Sequence, residues 1–565
     1  MLTKKLTHIV LCALCLACCN SVAAQNRQPQ SASRQDSLLL RNYAFVKQQD
    51  AWLATLNAAA LTRFAASNIA EAQLSAIKAS GGLVDHNGSS NSLQMDGSVE
   101  AFYRLGRRTV VFGGIGYDNF SGKDMTGSVF TSHTGMLMAY QPAADVWATA
   151  QRRPFDIVED SLTNPGRKHC DTYRLFGAVG VDVYNGISLG ASMHYTAANY
   201  AKYKDLRHKN KLMDLTLTVG AYAPVTTWLS AGADYIYHRT TESVDFATYG
   251  KSDRVFKSLI DYGTFYGIVE QFGNEGYTDK SREMPLFEDS HGASFQVGVQ
   301  PVDGLSALGS IAFSRGTGYY GRKSPYTITY TNHRRDRMET ALSLSYRSES
   351  AQHRLDLCYA NEKLANKAET YRELTNENGA YYYEYYDPVE TGDKQWDDIR
   401  LAYTALLDIN GEQPAWEFAA TYHFGERRQA SYLYPYYRHQ HLKSHAFGVQ
   451  ATRRLFADRG VWALTASGGY MRGSGSPYDD YTFVKPSDMQ EQPATMEAHL
   501  MREYHYLTAP RYTLGAAARY DFLIPDYNVR PNARIGIDYQ KATERNEFCR
   551  GTHRVQLMVA VGCTF

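Results

Sequence analysis

The last fourteen residues of the chain, THRVQLMVAVGCTF (552–565), decide the fold. Large apolar side chains occupy one parity of this stretch, namely Val555, Leu557, Val559, Val561 and Phe565. The other parity holds mostly small or polar residues, namely Gln556, Met558, Ala560, Gly562 and Thr564. Successive side chains of a β-strand point to opposite faces. The stretch therefore predicts a strand with one apolar face.

The same alternation recurs upstream, where the polar face is charged. In NVRPNARIGIDYQ (528–540), Ile535, Ile537 and Tyr539 alternate with Arg534 and Asp538. The pattern is repeated in RYTLGAAARYDF (511–522), DIRLAYTALLD (398–408), METALSLSYR (338–347) and RLDLCYA (354–360). A soluble core does not explain an inner face this charged, whereas a lipid-facing apolar side and a wet lumen explain both faces.

Eighteen alternating stretches follow one another in the chain. They lie near residues 69–82, 91–105, 108–121, 171–184, 187–200, 209–223, 227–241, 291–301, 304–317, 335–348, 352–364, 396–409, 413–427, 442–456, 460–473, 508–522, 528–542 and 552–565. Tight turns such as YNGI (184–187) alternate with mostly longer links, as in outer-membrane barrels with an even strand number. We predict an all-β, antiparallel, up-and-down transmembrane barrel of about 18 strands (roughly 16–20) over residues 69–565.

The beginning of the chain predicts export. MLTKKLTHIVLCALCLACCNSVAAQ (1–25) has Lys4 and Lys5, an apolar run from Ile9 to Cys19 and small residues before Gln25. These features are typical of a secretory signal peptide, which we assign to residues 1–24. A lipid anchor on Cys19 is the alternative. The expected location is the outer membrane of a Gram-negative cell.

The composition agrees with a barrel and excludes several other classes. The chain has 43 Tyr and 44 Gly but 17 Pro, which suits many strands with interfacial aromatic side chains. Its net charge of +1 gives no basic excess, so nucleic acid is not an expected partner. No segment after the signal is an apolar run long enough for a membrane-spanning helix. We expect no catalytic set, no cofactor and no metal site.

An N-terminal segment, residues 25–68, precedes the predicted barrel. Its second part, DSLLLRNYAFVKQQDAWLATLNAAALTRFAAS (36–67), is rich in helix formers. A helix ahead of a wide barrel can plug the lumen or lie on its periplasmic mouth, and a passive leader is the alternative. Trp52, Asn57 and Leu61 are the candidate plug residues.

The charged parity defines a candidate lumen lining. Its members are Arg104, Arg174, Asp182, Arg354, Asp356, Arg400, Glu417, Arg519, Asp521, Arg530, Arg534 and Asp538. Two interpretations stay open, since these residues could pair with one another to hold the barrel or could line a permeation path. The near balance of signs disfavours strong ion selectivity. His194 and His423 share the inward parity and would be the candidate catalytic residues if the barrel were a hydrolase.

The longest links, near 122–170, 242–290, 365–395 and 474–507, are predicted extracellular loops. Tyrosine is concentrated in ENGAYYYEYYDPV (377–389), SYLYPYYRHQH (431–441) and GTGYYGRKSPYTITY (316–330). These aromatic residues are interpreted either as an aromatic girdle at the headgroup level or as a platform for glycans or partner proteins.

The whole pattern resembles Gram-negative outer-membrane β-barrels, in particular an uncharacterised family of this length. The stretch DAWLATLNAAALTRFAASNIAEAQLSA (50–76), with its Asn57-Ala58-Ala59-Ala60-Leu61 run, carries the narrower resemblance and is also similar to the opening of fatty-acid-transporter-type barrels. The resemblance implies contact with outer-membrane lipid and recognition by the barrel-assembly machinery, for which Val561 and Phe565 would form the C-terminal signal.

We therefore predict a porin-like channel or transporter for small solutes or a specific ligand, because barrels of this width generally hold an aqueous path. The alternatives are a non-transporting subunit of an outer-membrane complex, whose extracellular loops form a docking surface, and a barrel hydrolase.

Overall fold

A computed structural model describes residues 41–133, 152–251, 253–272, 285–324, 327–457, 460–522, 524 and 529–565. The predicted signal peptide and residues 25–40 lie outside the described residues. The strands are β1 (Ile69–Ser80), β2 (Asn91–Arg104), β3 (Thr109–Met125), β4 (Gly127–Ser128), β5 (Asp156–Glu159), β6 (Gly166–Tyr184), β7 (Ile187–Lys202), β8 (Arg207–Pro224), β9 (Leu229–Ala247), β10 (Phe256–Asp261), β11 (Tyr266–Phe272), β12 (Pro285–Val302), β13 (Leu305–Ser324), β14 (Thr327–Arg347), β15 (Ala351–Ala368), β16 (Tyr371–Thr375), β17 (Tyr381–Tyr385), β18 (Val389–Asn410), β19 (Gln413–Leu433), β20 (Tyr436–Ala457), β21 (Gly460–Thr482), β22 (Ala494–Thr495), β23 (Arg511–Phe522), β24 (Arg530–Ala542) and β25 (His553–Thr564).

Eighteen of these strands form one closed antiparallel sheet, which confirms the predicted barrel and its strand number. They are β1–β3, β6–β9, β12–β15, β18–β21 and β23–β25, and each pairs with the next barrel strand in the chain. The C-terminal strand closes the sheet by pairing with β1, and Phe565 exchanges both backbone hydrogen bonds with Ala70 (2.7 and 3.0 Å).

The outer wall is apolar and the inner wall is polar, as the alternation predicts. Leu514 and Ile535 are 63% and 62% exposed on the outer side, and Val559 beside Ile535 is 54% exposed. The alternate positions Asp521 and Arg530 are buried toward the lumen. Such exposure of large aliphatic side chains fits a lipid solvent. The chain is therefore a transmembrane β-barrel of the bacterial outer membrane.

The barrel strands are longer than predicted at their extracellular ends. β21 runs to Thr482, nine residues beyond the predicted end at 473, because the GSGSPYDDYT segment continues to pair with β20. β6, β9 and β12 likewise extend into the predicted loops. Alternating hydrophobicity stops where lipid contact stops, whereas backbone pairing continues past the membrane.

The N-terminal segment forms three short helices instead of one. Helix α1 spans Tyr43–Gln48, and two 3₁₀ helices span Ala51–Ala54 and Ala58–Arg63. The side chains of Asn42, Asp50 and Asn57 each accept a hydrogen bond from a backbone N–H two or three residues ahead. Side-chain caps of this kind compete with a continuous helix, so a new short helix begins after each capping residue.

A second, smaller sheet is built from the extracellular loops. β4, β5, β10, β11 and β22 form it, and helix α2 (Glu497–Thr508) follows β22. Its apolar side chains, including Phe130, Phe155 and Ile157, form one buried cluster with Phe246 and Tyr320 of the barrel wall. The loop sheet therefore packs against the inside of the extracellular mouth. β16 and β17 form a separate hairpin.

No helix in the described ranges is long and apolar enough to cross a membrane.

The face assignment predicts a difference between two adjacent substitutions. Ile535→Arg places a charge in lipid, which costs roughly 2–4 kcal/mol at the bilayer midplane, whereas Arg534→Ile changes only the lumen face. We expect Ile535→Arg to lower the yield of folded barrel and Arg534→Ile to leave it close to that of the parent. Heat-modifiable mobility of outer-membrane fractions measures both, and equal yields would contradict the assignment.

Candidate functional site

The inner wall carries a set of paired charges at the end where β25 finishes beside the start of β1. Arg519 Nη2 lies 2.9 Å from Asp521 Oδ1 and 3.3 Å from Glu71 Oε1. Arg530 Nη2 approaches the same Asp521 oxygen at 3.3 Å. These residues come from β1, β23 and β24, so the pairs cross the seam that closes the barrel. Arg534 and Asp538 lie further along the same face of β24.

Other predicted lining residues pair along their own strand, with an adjacent strand or across one intervening strand. The pairs are Arg174 with Asp96, Glu417 with Arg454 (2.8 Å) and Arg354 with Asp356 (2.8 Å). Asp182 accepts a hydrogen bond from the Gly186 N–H in its own turn (3.2 Å). Arg400 faces His423 across β18 and β19. The described wall thus presents opposite charges close together, not a field of one sign.

The two inward histidines of the sequence analysis lie in ordinary structural surroundings. His423 Nε2 is 3.3 Å from Asp398 Oδ1, and both residues are buried. His194 stacks on the ring of Phe176 with a centroid distance of 5.8 Å. The structure does not bring the two histidines together.

The N-terminal segment lies inside the barrel at the end that carries the tight turns. Arg41 Nε is 3.1 Å from Glu412 Oε2 in the turn between β18 and β19, and the Asn42 N–H donates to the same oxygen (2.8 Å). Glu100 of β2 accepts from the Tyr43 hydroxyl and the Lys47 ammonium, each at 2.8 Å. The segment is therefore attached to strands on two sides of the opening.

All three candidate plug residues contact the wall. Asn57 Nδ2 donates to the Ala221 carbonyl (2.9 Å) and to Gln296 Oε1 (3.0 Å). The Trp52 ring meets the Tyr222 ring edge-on at a centroid distance of 5.0 Å. Leu61 is buried in an apolar cluster with side chains of β1, β2 and β3. Arg104 and Arg354 of the lining also donate to backbone carbonyls of this segment.

A row of glycines receives the segment. Five wall residues would collide with it if they carried a Cβ atom: Gly180, Gly190, Gly220, Gly232 and Gly298. The Cβ of Gly190 would lie 2.2 Å from the Ala59 nitrogen, and that of Gly220 would lie 2.4 Å from Asn57 Oδ1. Gly180, Gly190 and Gly220 are direct register partners on β6, β7 and β8. At Gly180 and Gly190 the backbone of Ala58 and Ala59 lies against the wall backbone, whereas the other three glycines leave room for the Asn57 and Trp52 side chains.

Charged contacts join the loop sheet to the wall in the extracellular half of the lumen. Arg152 pairs with Asp398 and with Glu362 (3.4 Å) of the wall. Arg153 Nη2 lies 3.5 Å from Glu242 Oε2, and Lys394 donates to the Arg153 carbonyl (2.8 Å). Two consecutive arginines thus reach wall strands β9, β15 and β18.

A buried polar cavity of about 60 Å³ separates the loop sheet and helix α2 from the wall. Loop residues Asp156, Asp261 and Glu503 line it together with Lys394 and Arg427 of the wall. Glu503 Oε2 lies 2.8 Å from Arg427 Nη2. A cavity of this size holds a few waters or one small ion, so it is not a passage for a solute.

Burial shifts the titration of these loop carboxyls. It raises the pKa of Asp261 to about 6, although Lys394 opposes the shift, and it raises the pKa of Asp156 above its ordinary value. Burial also opposes ionisation of Glu503, but the Arg427 guanidinium holds the pKa of that carboxyl below its ordinary value. Burial therefore moves the pKa of Asp261 from the ordinary range of an aspartate toward neutral pH.

The charged loop residues were missed by the sequence analysis. Arg152, Arg153, Asp261 and Glu503 lie in predicted loops, where no strand parity assigns a side chain to a face. The RRPFDIVED segment (152–160) does contain a short apolar run between charges, and this was the available signal for a buried loop strand.

The pKa of Asp261 predicts a pH-dependent closure. Its folded pKa lies above its unfolded value, so its contribution to stability is full below about pH 4 and is lost as pH rises through about 6. The full effect is about 3 kcal/mol at 1.36 kcal/mol per pKa unit. The substitution Asp261→Asn removes this pH-dependent contribution to stability, because the amide stays neutral. The amide oxygen still accepts hydrogen bonds from the Gly263 and Tyr266 N–H groups.

Hydrogen exchange of residues 256–272, compared between parent and Asp261→Asn at each pH, measures the effect. We expect the variant to gain protection relative to the parent between pH 5 and pH 7. A difference that does not change with pH would contradict the assignment.

Comparisons with solved structures find other outer-membrane barrels. The ferric preacinetobactin receptor BauA of Acinetobacter baumannii is 10% identical with a TM-score of 0.35, and covers 88% of this chain and 80% of its own. The outer membrane transporter YddB of Escherichia coli is 8% identical with a TM-score of 0.37, and the coverage is 88% and 81%. The alcaligin receptor FauA of Bordetella pertussis is 8% identical with a TM-score of 0.38, covering 88% and 76%.

These values are too low to carry a function from those proteins to this one. The similarity to fatty-acid-transporter-type barrels stays a prediction, since none of these three structures is of that type. No curated protein sequence matches the chain. One family model does match, over residues 161–565, which is more than half of the chain. The protein therefore belongs to the family of unknown function DUF6850.

Proposed function

We propose that this protein is a closed channel or transporter that passes small polar solutes or a specific ligand across the outer membrane when its N-terminal segment leaves the lumen. The observation that carries the proposal is the docking of Trp52 and residues 57–61 onto the glycine row, Gly180, Gly190, Gly220, Gly232 and Gly298. Because the wall has glycine at each of these contacts, we infer that its inner surface is shaped to hold this segment.

The barrel does not need the segment to stay closed as a sheet. β1 begins at Ile69, after the last helix of the segment, and pairs directly with β25. The segment is held by side-chain hydrogen bonds, ion pairs and packing, and it supplies no barrel strand. Its departure therefore breaks no hydrogen bond between wall strands, which favours a movable closure over a permanent part of the wall.

The chemistry of the lining favours polar cargo with no strong charge preference. At the seam Arg519 and Arg530 are matched by the two carboxylates of Asp521 and Glu71, and elsewhere Arg174 is matched by Asp96. A pore lined by paired charges presents hydrogen-bond donors and acceptors at short spacing without a large single-sign potential. Polar solutes fit this lining better than a single type of ion.

Deletion of residues 25–66 from the mature chain is expected to raise single-channel conductance in planar bilayers. The expectation follows because the deletion removes the group of contacts on the glycine row and leaves β1 intact. The matched measurement uses the refolded mature chain, residues 25–565. Silence of both forms would contradict the proposal and favour a sealed barrel.

A single wall residue is expected to act in the same direction. Gly190→Val places side-chain atoms where the Ala59 backbone lies, so it should expel the segment and raise conductance of the full mature chain. Gly309→Val is the matched control, because no atom lies within 4 Å of a Cβ at that strand position. Equal conductance of the two variants would argue against the glycine row as the seat of a plug.

A cross-link is expected to hold the segment in place. The hydroxyl oxygens of Thr62 and Ser188 are 2.8 Å apart, so Thr62→Cys with Ser188→Cys brings two sulfurs within reach of a disulfide. The four cysteines of the described chain, Cys170, Cys358, Cys549 and Cys563, are free and would first be replaced by serine.

The oxidised double variant should stay silent, and a reductant should restore whatever open-state activity the cysteine-free parent shows. Thr62→Cys alone is the control, since it can form no cross-link. If the cysteine-free parent conducts and the reductant does not change the conductance of the double variant, then solutes do not need the segment to move.

A second candidate function, a docking subunit of an outer-membrane complex, is favoured by an exposed aromatic patch. The extracellular ends of β19–β21 carry Tyr434 (67% exposed) and Phe483 (55%), and the rings of Tyr437 and Phe483 are 4.4 Å apart. Exposed aromatic patches mark interaction sites for proteins or sugars. Co-purification of a protein partner that is lost in Tyr434→Ser with Phe483→Ser would support this function.

Two further partners belong to the proposal. Val561 and Phe565 face outward on the closing strand, 52% and 37% exposed, where assembly machinery could reach them. Outer-membrane lipid covers the apolar wall.

A further inference from the structure

Charged side chains on the outer wall are distributed unevenly around the extracellular end of the barrel. Four strands between β12 and β19 each carry an outward-facing carboxylate there, namely Asp289, Asp336, Asp397 and Glu426. A neighbouring side chain donates a hydrogen bond to each of them, from Tyr237 (2.8 Å), Arg315 (2.6 Å), Tyr359 (3.0 Å) and Arg428 (2.6 Å), respectively. This sector of the wall therefore presents mixed charge to the lipid headgroups.

The sector that runs from β21 through β23, β24 and β25 to β1 differs in charge. Its outward-facing cations are Arg472, Lys541 and Lys78. In these described strands, counted up to Ser474 of β21, every Asp and Glu faces the lumen: Glu71, Asp521 and Asp538. Because the whole chain has a net charge of only +1, this set of outward cations without an outward carboxylate is a local feature.

The length of β21 places Arg472 at the headgroup level of the outer leaflet. At the periplasmic end of the same face, Trp462 is 45% exposed and its ring lies 4.5 Å from the Tyr520 ring, as in an interfacial aromatic girdle. Arg472 is ten residues further along the strand. Ten strand residues span about 33 Å, or about 25 Å across the membrane at the usual strand tilt, which is the height of the lipid-facing band.

Strand register brings Lys541 close to Arg472. Tyr470, Tyr512 and Lys541 are consecutive register partners on β21, β23 and β24, and Arg472 is the next outward-facing residue above Tyr470. With neighbouring strands about 4.8 Å apart, the backbones of Arg472 and Lys541 are separated by roughly 12 Å. Two long side chains can close this distance from opposite sides of Tyr512, which leaves one phosphate-sized position between their cationic ends.

Both cations are available to an added anion. Arg472 and Lys541 are exposed, and neither forms an ion pair within the part of the chain that the structure describes. The carboxylates nearest to Lys541 in sequence, Glu544 and Glu547, lie in the following loop and interact electrostatically with His505 of helix α2. No internal partner therefore competes with a phosphate at this position among the described residues.

An apolar surface lies directly below the two cations. The rings of Tyr470 and Tyr512 are 5.0 Å apart, and below them Leu514 and Ile537 are 63% and 46% exposed. Gly468 and Ala516, the register partners of Leu514 and Ile537, keep the surface shallow between the larger side chains. Cations above an aromatic row and an aliphatic surface match the polarity of an anionic lipid.

We propose that the outer face of β21, β23 and β24 binds a phosphorylated glycolipid of the outer leaflet. One phosphate lies between Arg472 and Lys541, and acyl chains lie along Leu514 and Ile537. A membrane lipid is the occupant because the cations stand at headgroup level on the lipid-facing wall, directly above its apolar band. A soluble anion would contact the cations but would leave the apolar surface unused.

The test measures lipid binding by the refolded mature barrel, residues 25–565, in detergent. The probe is lipid A, and bound lipid is counted by native mass spectrometry. We expect Arg472→Gln with Lys541→Gln to weaken binding at least about tenfold, because each basic residue at this level attracts anionic headgroups. The matched control is Arg315→Gln with Lys363→Gln, which should bind like the parent. It also removes one Arg and one Lys from outer faces one strand apart, but these two flank Asp336 in register.

Equal binding by the two double variants would overturn the proposal, and so would equal binding of lipid A stripped of its phosphates. Displacement of lipid A by inorganic phosphate at millimolar concentration would overturn it too, because it would identify a free-anion site. If the first double variant does not fold, labelling of the parent decides. Lipid A should protect Lys541 from amine acylation and leave Lys363 reactive, and equal reactivity of Lys541 with and without the lipid would refute the site.

Discussion

Every backbone N–H and C=O group that faces lipid must find a partner within the protein, and the rest of this structure depends on that constraint. A sheet satisfies it only when it has no free edge, so the C-terminal strand must return to the first. The pairing of β25 with β1, down to the two hydrogen bonds between Phe565 and Ala70, is that return. With the edge removed, residues 41–68 are excluded from the wall, and their described contacts place them against its inner face.

A barrel of this width creates a second problem, since its lumen is wider than wall side chains can fill. The N-terminal segment occupies the lumen at one end, and the loop sheet occupies it at the other. At the end with tight turns, backbone is packed against glycine, which gives close contact with few charged groups. At the extracellular end, a folded loop sheet is packed against apolar wall residues and joined by buried ion pairs such as Arg152 with Asp398. Buried charges are costly unless paired, so the packing of the loop sheet on the wall depends on these ion pairs.

The fold was predictable because lipid acts on every wall residue in the same way. Ile535 faces out and Arg534 faces in for a reason that repeats along all eighteen strands, and one sequence therefore carries the signal many times. The composition of the N-terminal segment predicted that it is helical, but not that it is divided into three short helices. The division arises because the caps at Asn42, Asp50 and Asn57 compete locally with a continuous helix. The contacts of Arg153 or Glu503 were not predictable, since they depend on which loops meet inside the mouth. No periodicity encodes that meeting.

The N-terminal segment and the loop sheet also differ in which groups of the wall would be exposed if each of them left the lumen. Departure of the N-terminal segment uncovers glycine backbone that is already satisfied by strand pairing. It also takes Arg41 from Glu412 and Lys47 from Glu100, whose side chains are already 19% and 20% exposed. Departure of the loop sheet would take Arg152 from Asp398 and Arg153 from Glu242, whose side chains are 7% and 4% exposed. A deeply buried carboxylate that loses its cation is more costly than one that already contacts water. The asymmetry makes the N-terminal segment the easier of the two to move.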